Sequence, residues 1–482
     1  MPSENSGYTQ RYNIGPVLVD RARSYGHLFH SNDPPSQSDR TGLLEALNTD
    51  SYRLEQLNAS GEPAEVDKAH LKRLIDTYRS ILSPLRTFPT ELLVEVFKHT
   101  VEDFFPVFDM SQSPWLLGRV CRRWRAVSRS SAELWASLSL EGSPQLGMPE
   151  NEEHVLLNIL EDALNLSRRK DLSIRYSLSS VPLDTDSQLI RILISQSYRW
   201  KDVHFSISPD LVPDIRKIDG RLLSKLVRLH LAPCGLGTLP EETLEPFLLA
   251  PSIRDVTLHL VAHSLFSHPP PWRRLIHFRD DYPTTVGDHL TFLSQLKGLE
   301  SYATPWCITT RGSSSLSSTH ITHETLRSLN IKDIDLLQYL VCPALQILSV
   351  TIFEVKRSEP NLLNVFRQFS SQSCNLQHLT LFVPFIGPNY YSIMGELSTI
   401  LFPQLHSFTL VVVPHRPFQI PPRSFLFSAV AFIEARWHPG TLLRRVAITT
   451  GLENVESDLL DRLRAFKGEG LDVSYNGKDI QI

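Results

Sequence analysis

LRTFPTELLVEVFKHTVEDFFPVFDMSQSPWLLGRVCRRWRAVSRSSAELWASLSL, Leu85 to Leu140, is the most informative stretch of the 482-residue chain. Pro89 suits the first turn of a helix, where its missing N–H costs nothing, and Glu91 complements the positive end of that helix. Leu92, Leu93, Val96 and Phe97 then form a tight apolar face. Ser113-Pro114 reads as a second helix start, a capping hydroxyl followed by proline. Leu116, Leu117, Val120, Cys121 and Trp124 predict an apolar face continuing over two turns, with Arg119, Arg122, Arg123 and Arg125 polar between them. This places Trp124 in the core and makes Cys121 a buried, unreactive thiol. Leu134 and Trp135 follow small residues and can plug the end of the bundle. Three helices this short bury little surface, so the module is expected to need a partner or a neighbouring domain.

These residues resemble an F-box. The family's opening Leu-Pro-x-Glu-Leu-Leu-x-x-Ile-Phe is similar to Phe88-Pro89-Thr90-Glu91-Leu92-Leu93-Val94-Glu95-Val96-Phe97. Its later Val-Cys-(Lys/Arg)-x-Trp-(Arg/Lys) is similar to Val120-Cys121-Arg122-Arg123-Trp124-Arg125. The trailing Leu-Trp resembles Leu134-Trp135. Two departures stand out: Phe88 replaces the usual leucine, and Glu102–Ser113 lengthens the loop between helices. Phe104, Phe105 and Phe108 in that loop either pack on the module or extend a partner surface. The resemblance implies a Skp adaptor as partner and, through it, a cullin. It also implies adaptor contacts at Leu85, Phe88, Pro89, Leu92, Leu93, Val96, Phe97, Leu116, Val120, Cys121 and Trp124.

Upstream, residues 1–40 are rich in Ser, Asn, Asp, Gln and Pro without a sustained apolar period, and are expected to be a disordered tail. Residues 41–83 form a helical segment. Val66, His70, Leu74, Tyr78 and Leu82 sit four apart, flanked by Leu71, Ile75 and Ile81, so they line one stripe. Such a stripe packs on a neighbouring domain or forms a short coiled coil. A helix running straight into Ser83-Pro84-Leu85 is similar to an arrangement common in fungal F-box proteins. The F-box itself takes residues 84–140.

Downstream, residues 141–482 repeat the form apolar-x-x-apolar-x-apolar, which sets the fourth and sixth residues on one side of a strand. The runs are Trp200/Val203/Phe205, Leu226/Leu229/Leu231, Ile253/Val256/Leu258, Leu326/Leu329/Ile331, Leu345/Leu348/Val350, Leu376/Leu379/Leu381, Leu405/Phe408/Leu410 and Leu443/Val446/Ile448. A degenerate run starts at Leu299, and another at Trp272 (WRRLIHF). Spacing near 20–30 residues resembles an irregular leucine-rich repeat, one strand per repeat lining a concave sheet. The expected fold class is therefore α then α/β, a short three-helix F-box followed by a leucine-rich-repeat-like solenoid; ordinary α/β packing is the alternative. Glu324–Leu329 and Leu362–Phe369 are expected as helical returns. Ser264–Trp272 and Thr309–Ser318 read as turn-rich insertions, either mobile loops or contacts at one rim of the sheet.

On a solenoid, Leu229/Leu231 and Leu379/Leu381 point inward. Arg228, His230, Arg254, Thr257, Gln346, Ser349, His378 and Thr380 fall on the open face. Arg228, His230, Arg254 and His378 are the expected substrate-binding residues, suited to a polar, acidic target surface. The bland alternative is that they are solvated outer positions.

Composition bounds the remaining classes. Hydrophobic content of 41% with 21% charge describes an ordinary soluble globular protein, and a net charge of -4 with pI near 6.5 lacks the basic surface that nucleic acid requires. The start is polar, and no apolar window approaches the ~20 residues of a membrane span. The scattered, odd set Cys121, Cys234, Cys307, Cys342 and Cys374 fits reduced thiols of the cytoplasm or nucleus. His259 and His263 have the spacing of a zinc pair but lack the adjacent glutamate. No phosphate loop, Cys-x-x-Cys pair or nucleophile elbow appears. The expectation is a substrate receptor of a Skp–cullin–F-box ubiquitin ligase without catalytic residue, metal or cofactor. The alternatives are a non-proteolytic scaffold that binds Skp and an enzyme within the C-terminal region.

Overall fold

The computed structural model describes residues 25–59, 65–141, 153–177, 183–265, 272–304, 320–332, 334–352, 362–384, 388–412, 423–438, 440–450 and 457–479. The chain divides into a helical unit up to Ser139, joined by His154–Lys170, and a mixed unit carrying most of the remainder through Ile482. The helix Glu153–Leu166 thus groups with the N-terminal unit, across the boundary expected at residue 141.

In the helical unit, α1 (Gln37–Ala59) and α2 (Glu65–Ile81) pack on one another. Two expectations are corrected here. The tail does not reach residue 40: Gly26–His30 is helical, and Leu28 is buried among Leu43, Ala46, Tyr78 and Ile81. Burying Leu28 contributes ~1.5–3 kcal/mol toward ordering this polar stretch, and Arg86 adds hydrogen bonds to the carbonyls of Leu28 and Asp33. The stripe on α2 is also rotated: Leu71, Ile75, Tyr78 and Ile81 are buried, whereas Val66 is exposed. The face that could have formed a coiled coil is covered by α1 within the same chain.

The module that follows contains α3 (Thr90–Thr100), α4 (Arg122–Ser130) and the short helices Pro84–Thr87 and Leu117–Val120. Ser113-Pro114 opens a turn, and the helix it was expected to start begins only at Leu117. The expected two-turn face is broken at Cys121, whose backbone is extended. Its thiol sulfur accepts from the Trp124 backbone N–H at 3.4 Å, so Cys121 caps α4 and is only half-buried. The core tryptophan is Trp135, 1% exposed, whose Nε1 donates to the Ser128 carbonyl at 2.8 Å. It meets Phe105 and Trp115 edge-on. Phe105 therefore turns the long loop inward, and Phe105–Pro106 pairs in parallel with Leu138 and Ser139. Trp124 is half-buried, edge-on to Phe97 at 5.0 Å.

The mixed unit is α/β with a parallel sheet. Its strands are β1 (Leu172–Ser177), β2 (Trp200–Ile207), β3 (Arg228–Pro233), β4 (Asp255–Leu258), β5 (His277–Asp280) and β6 (Ser301–Thr304). They continue as β7 (Ser328–Ile331), β8 (Ile347–Thr351), β9 (His378–Val383), β10 (Ser407–Val412), β11 (Arg445–Thr449) and β12 (Asp472–Tyr475). Each pairs in parallel with the next, in chain order. Ile321–Thr322 and Leu340–Val341 pair separately with each other.

The inner rows follow the repeated pattern. Val203, Leu229, Val256, Phe278, Tyr302, Leu329, Leu348, Leu379, Phe408 and Val446 stand in register and are buried. Phe278 in that row moves the run expected from Trp272 to Leu275/Phe278/Asp280; Trp272 lies in the turn before it, its Nε1 donating to the Phe247 carbonyl at 3.0 Å. Entry turns are tied to the turn before them by polar side chains. Ser252 Oγ donates to the Ser224 carbonyl at 2.6 Å, Thr325 Oγ1 to that of Lys297 at 2.7 Å and Asn375 Nδ2 to that of Pro343 at 2.8 Å.

The returns change along the unit. Between β3 and β4 they are 3-10 turns, Glu241–Thr243 and Glu245–Leu249; later they are α-helices such as Leu362–Gln372 and Arg423–Arg436. Glu324–Leu329, expected as helical, is an entry turn running into β7, because Leu326 and Leu329 follow the strand pattern and not a helical one. Residues 266–271 of the first turn-rich insertion, the whole of the second, Thr309–Ser318, and Cys307 lie outside the described residues.

Candidate functional site: two surfaces

The first surface belongs to the helical unit. The apolar residues of the motif divide into two sets. Leu93 and Phe97 are fully buried, so the contact roles expected for them are corrected: the helix turns them into its own module, where Phe97 meets Trp124. Cys121 and Trp124, half-buried and engaged within the module, serve first as its cap and its packing. Leu85, Leu92, Val96, Leu116 and Val120 are 44–52% exposed, Pro89 is exposed and Phe88 half-buried. Leu92 and Val96 lie one turn apart on α3, so they share an exposed stripe beside that of the buried Leu93 and Phe97. Five large apolar side chains left in water by a module this small are unusual, since such exposure is a liability unless something covers it.

Sequence reasoning missed what holds this surface in shape. Arg123, expected only to be polar, sends its guanidinium back to the Pro84–Phe88 segment. It donates to the carbonyls of Leu85 at 3.3 Å, Arg86 at 2.7 Å and Phe88. A planar five-donor group suits three carbonyls at the end of a helical turn, where the dipole is negative. Arg86 is buried and donates to the Leu28 carbonyl at 3.1 Å; burial pushes its guanidinium down from its ordinary value. Glu133 bridges Lys98 at 2.9 Å and Lys170 at 2.6 Å, and hydrogen bonds from these two lysines hold its carboxyl down at about 2.

The second surface is the outer face of the ladder. Asp202, Arg228, Asp255, His277, Ser301 and Ser328 form one row; His204, His230, Thr257, Arg279, Ala303 and Asn330 form the next. Asp202 accepts from His204 Nε2 at 2.9 Å and pairs with Arg228 at 3.1 Å, so the exposed Arg228 is already neutralised. His230 stacks on His204 with centroids 5.3 Å apart and leans on His259 at 5.0 Å. Burial, then the neighbouring His259, His204 and Arg279, push the His230 imidazole down to about 4. His378 is exposed on β9, six strands from β3, roughly 30 Å of sheet at ~4.8 Å per strand. Arg254 precedes β4 and lies in a groove at the strand entries, not on the face, because its backbone belongs to the turn. The four expected substrate residues therefore do not converge on one site.

His259 pairs with Asp281, while the His263 side chain, 1% exposed, pairs with Asp280 at 3.1 Å. Each histidine is engaged by its own carboxylate. Among the described residues no three His, Cys, Asp or Glu side chains are placed to hold a metal ion. Burial pushes the Cys342 thiol up to about 12, opposite to what a nucleophile requires. No helix among the described residues is long and apolar enough to cross a membrane.

No family model and no curated protein matches the chain. Among solved structures, the crystal structure of a Bacteroides fragilis protein from a structural genomics effort aligns at 9% identity over 71% of this chain and 76% of that one. Its TM-score of 0.25 is too low to carry an argument about fold or function.

Proposed function

We propose that the chain is the substrate-recognition subunit of a Skp–cullin–F-box ubiquitin ligase, acting in the cytoplasm or nucleus. The observation that carries this reading is the exposed apolar set Leu85, Leu92, Val96, Leu116 and Val120 on a module whose other large aliphatic and aromatic residues are buried or half-buried. These side chains, with Pro89, are the surface we assign to the Skp adaptor. The ladder of the mixed unit is read as an irregular leucine-rich-repeat-like solenoid carrying the target. Its support is the pairing of consecutive strands in chain order and the recurring buried positions of each run. Such a receptor needs no reactive residue, because it raises the target's concentration beside a charged conjugating enzyme.

The test replaces exposed residues and spares the core. Leu92→Ala with Val96→Ala should leave the melt of the full chain unchanged and weaken capture of the Skp adaptor by roughly thirtyfold, the scale of a hot-spot loss. Undiminished adaptor binding by that variant would sink the assignment. Co-purification of cullin and a shortened target half-life separate a ligase receptor from a scaffold.

A further inference from the structure

We infer that the strand entries of β2 to β5 form a docking groove for an acidic segment of the target polypeptide, a run of aspartate or glutamate side chains. The groove is lined by Lys201, Lys225, Val227, Arg254, Ser252 and Arg274, with Asp171 at one end; it is open to solvent and has a volume of about 440 Å³. Treating it as a target site rests on the receptor reading above; its charge and its geometry do not.

Hydrogen bonds fix the order of these residues. Val227 N–H donates to the Lys201 carbonyl at 2.8 Å, Arg254 N–H to the Val227 carbonyl at 2.9 Å and Ile276 N–H to the Arg254 carbonyl at 2.8 Å. Lys201 and Arg254 thus stand in one row, with Lys225, Ser252 and Arg274 two residues upstream of that row. The row steps at ~4.8 Å per strand, so the groove spans roughly 14 Å, the length of about four extended residues.

Four cations face one carboxylate here, in a chain whose net charge is -4. Lys225 pairs with Asp171 at 2.6 Å, both about half-exposed, an ion pair cheap to exchange for a ligand carboxylate. Among the described residues, Lys201, Arg254 and Arg274 make no ion pair. The contrast with the neighbouring face is direct, since Arg228 there is matched by Asp202. A concave row of unmatched cations concentrates the field, and an acidic peptide is the polypeptide chemistry that complements it.

The experiment measures anisotropy of a fluorescein-labelled octaglutamate peptide against the full chain. Binding is expected, weakening as salt rises from about 0.1 to about 1 M and the Debye length falls from ~10 to ~3 Å. The variant carrying Lys201→Glu, Arg254→Glu and Arg274→Glu should lose roughly tenfold or more, the loss expected for several charge contacts. Arg254→Gln with Arg274→Gln should lose less, and Arg445→Glu, at the far end of the ladder, nothing. Equal affinity in the triple variant, an equal loss with Arg445→Glu, or displacement by oligothymidylate at lower concentration than by unlabelled peptide would overturn the inference. Adaptor capture by the same variants is expected to be unchanged, so failure of the groove and failure of the receptor reading give different results.

Discussion

Arg123 donates through Nη1 to the carbonyl of Arg86, 37 residues upstream, at 2.7 Å, and so ties α4 to the turn that presents Leu85. The same guanidinium serves Leu85 and Phe88, which makes it the clasp of the proposed docking surface. Arg123→Met should leave those carbonyls without their charged donor, costing about 1–3 kcal/mol of module stability and weakening adaptor capture with it. Arg123→Lys should not restore the wild-type value, because an ammonium is a point charge without the planar fork. Urea denaturation of the full chain, with adaptor affinity in parallel, checks both expectations.

The two tryptophans of the module should behave differently. Trp135 is buried, hydrogen-bonded and edge-on to two aromatic rings; Trp124 is half-buried against Phe97. Trp135→Ala should destabilise the helical unit by ~3–5 kcal/mol, and Trp124→Ala by clearly less. Equal losses in denaturation would contradict this placement.

That contrast shows where the sequence is legible. Its spacing places Leu92, Leu93, Val96 and Phe97 on one helix, yet cannot say which pair turns inward, since that depends on where α4 packs. Cys121 looks helical by period, and only the cap geometry reveals the break. In the ladder, apolar-x-x-apolar-x-apolar finds the interior strands. It misses β1 and β12, where Leu172/Ile174/Tyr176 and Leu471/Val473/Tyr475 alternate without the spacer. At β1 the reason is visible: Lys201 is an extra residue on β2, so Leu172 faces Trp200 while Ser173 faces Asp202. The cationic groove escapes a strand-face reading because Lys225, Ser252, Arg254 and Arg274 come from the turns before the strands, and Lys201 is the residue that the irregular β1–β2 register leaves unpaired.

Acid should weaken the mixed unit through two histidines. His230 is pushed down to about 4 by burial and by His259, His204 and Arg279, with Asp281 opposing. Burial also pushes His289 down to about 4; its Nδ1 lies 2.5 Å from the Tyr302 hydroxyl. Both stay neutral when folded at a pH where the unfolded chain takes a proton. Their contribution is therefore present above about 6.5 and is lost as pH falls toward 4. Asp186, pushed up to about 6 by burial, has the opposite sign: its contribution is present below about 3.8 and is lost as pH rises through 6. Unfolding free energies measured across this window should fall more gently toward acid in a His230→Gln, His289→Gln variant than in the wild type. An unchanged slope would count against neutral histidines at these positions.

The buried pair on β5 gives the sharpest test of the ladder. Asp280 stands opposite Leu258, on a row that β7 fills with Ile331 and β8 with Val350, so a carboxylate occupies a core position. Burial pushes its carboxyl up, while His263 at 3.1 Å pulls it down. Removing one partner leaves an uncompensated buried group, and His263→Leu should cost about 3–5 kcal/mol near neutral pH. Adding Asp280→Leu restores the apolar row and should recover most of that loss, because two well-packed hydrophobes can replace a buried pair at little or no cost. The single variant should also change its response to acid. With His263 gone the folded pKa of Asp280 rises further, so stability is present at low pH and is lost as pH rises through that value. His263→Leu should therefore gain stability relative to wild type on acidification, whereas the double variant should not. Chemical denaturation of the four members of this cycle at acid and neutral pH measures the coupling directly. Losses that simply add would show that Asp280 does not share a buried site with His263.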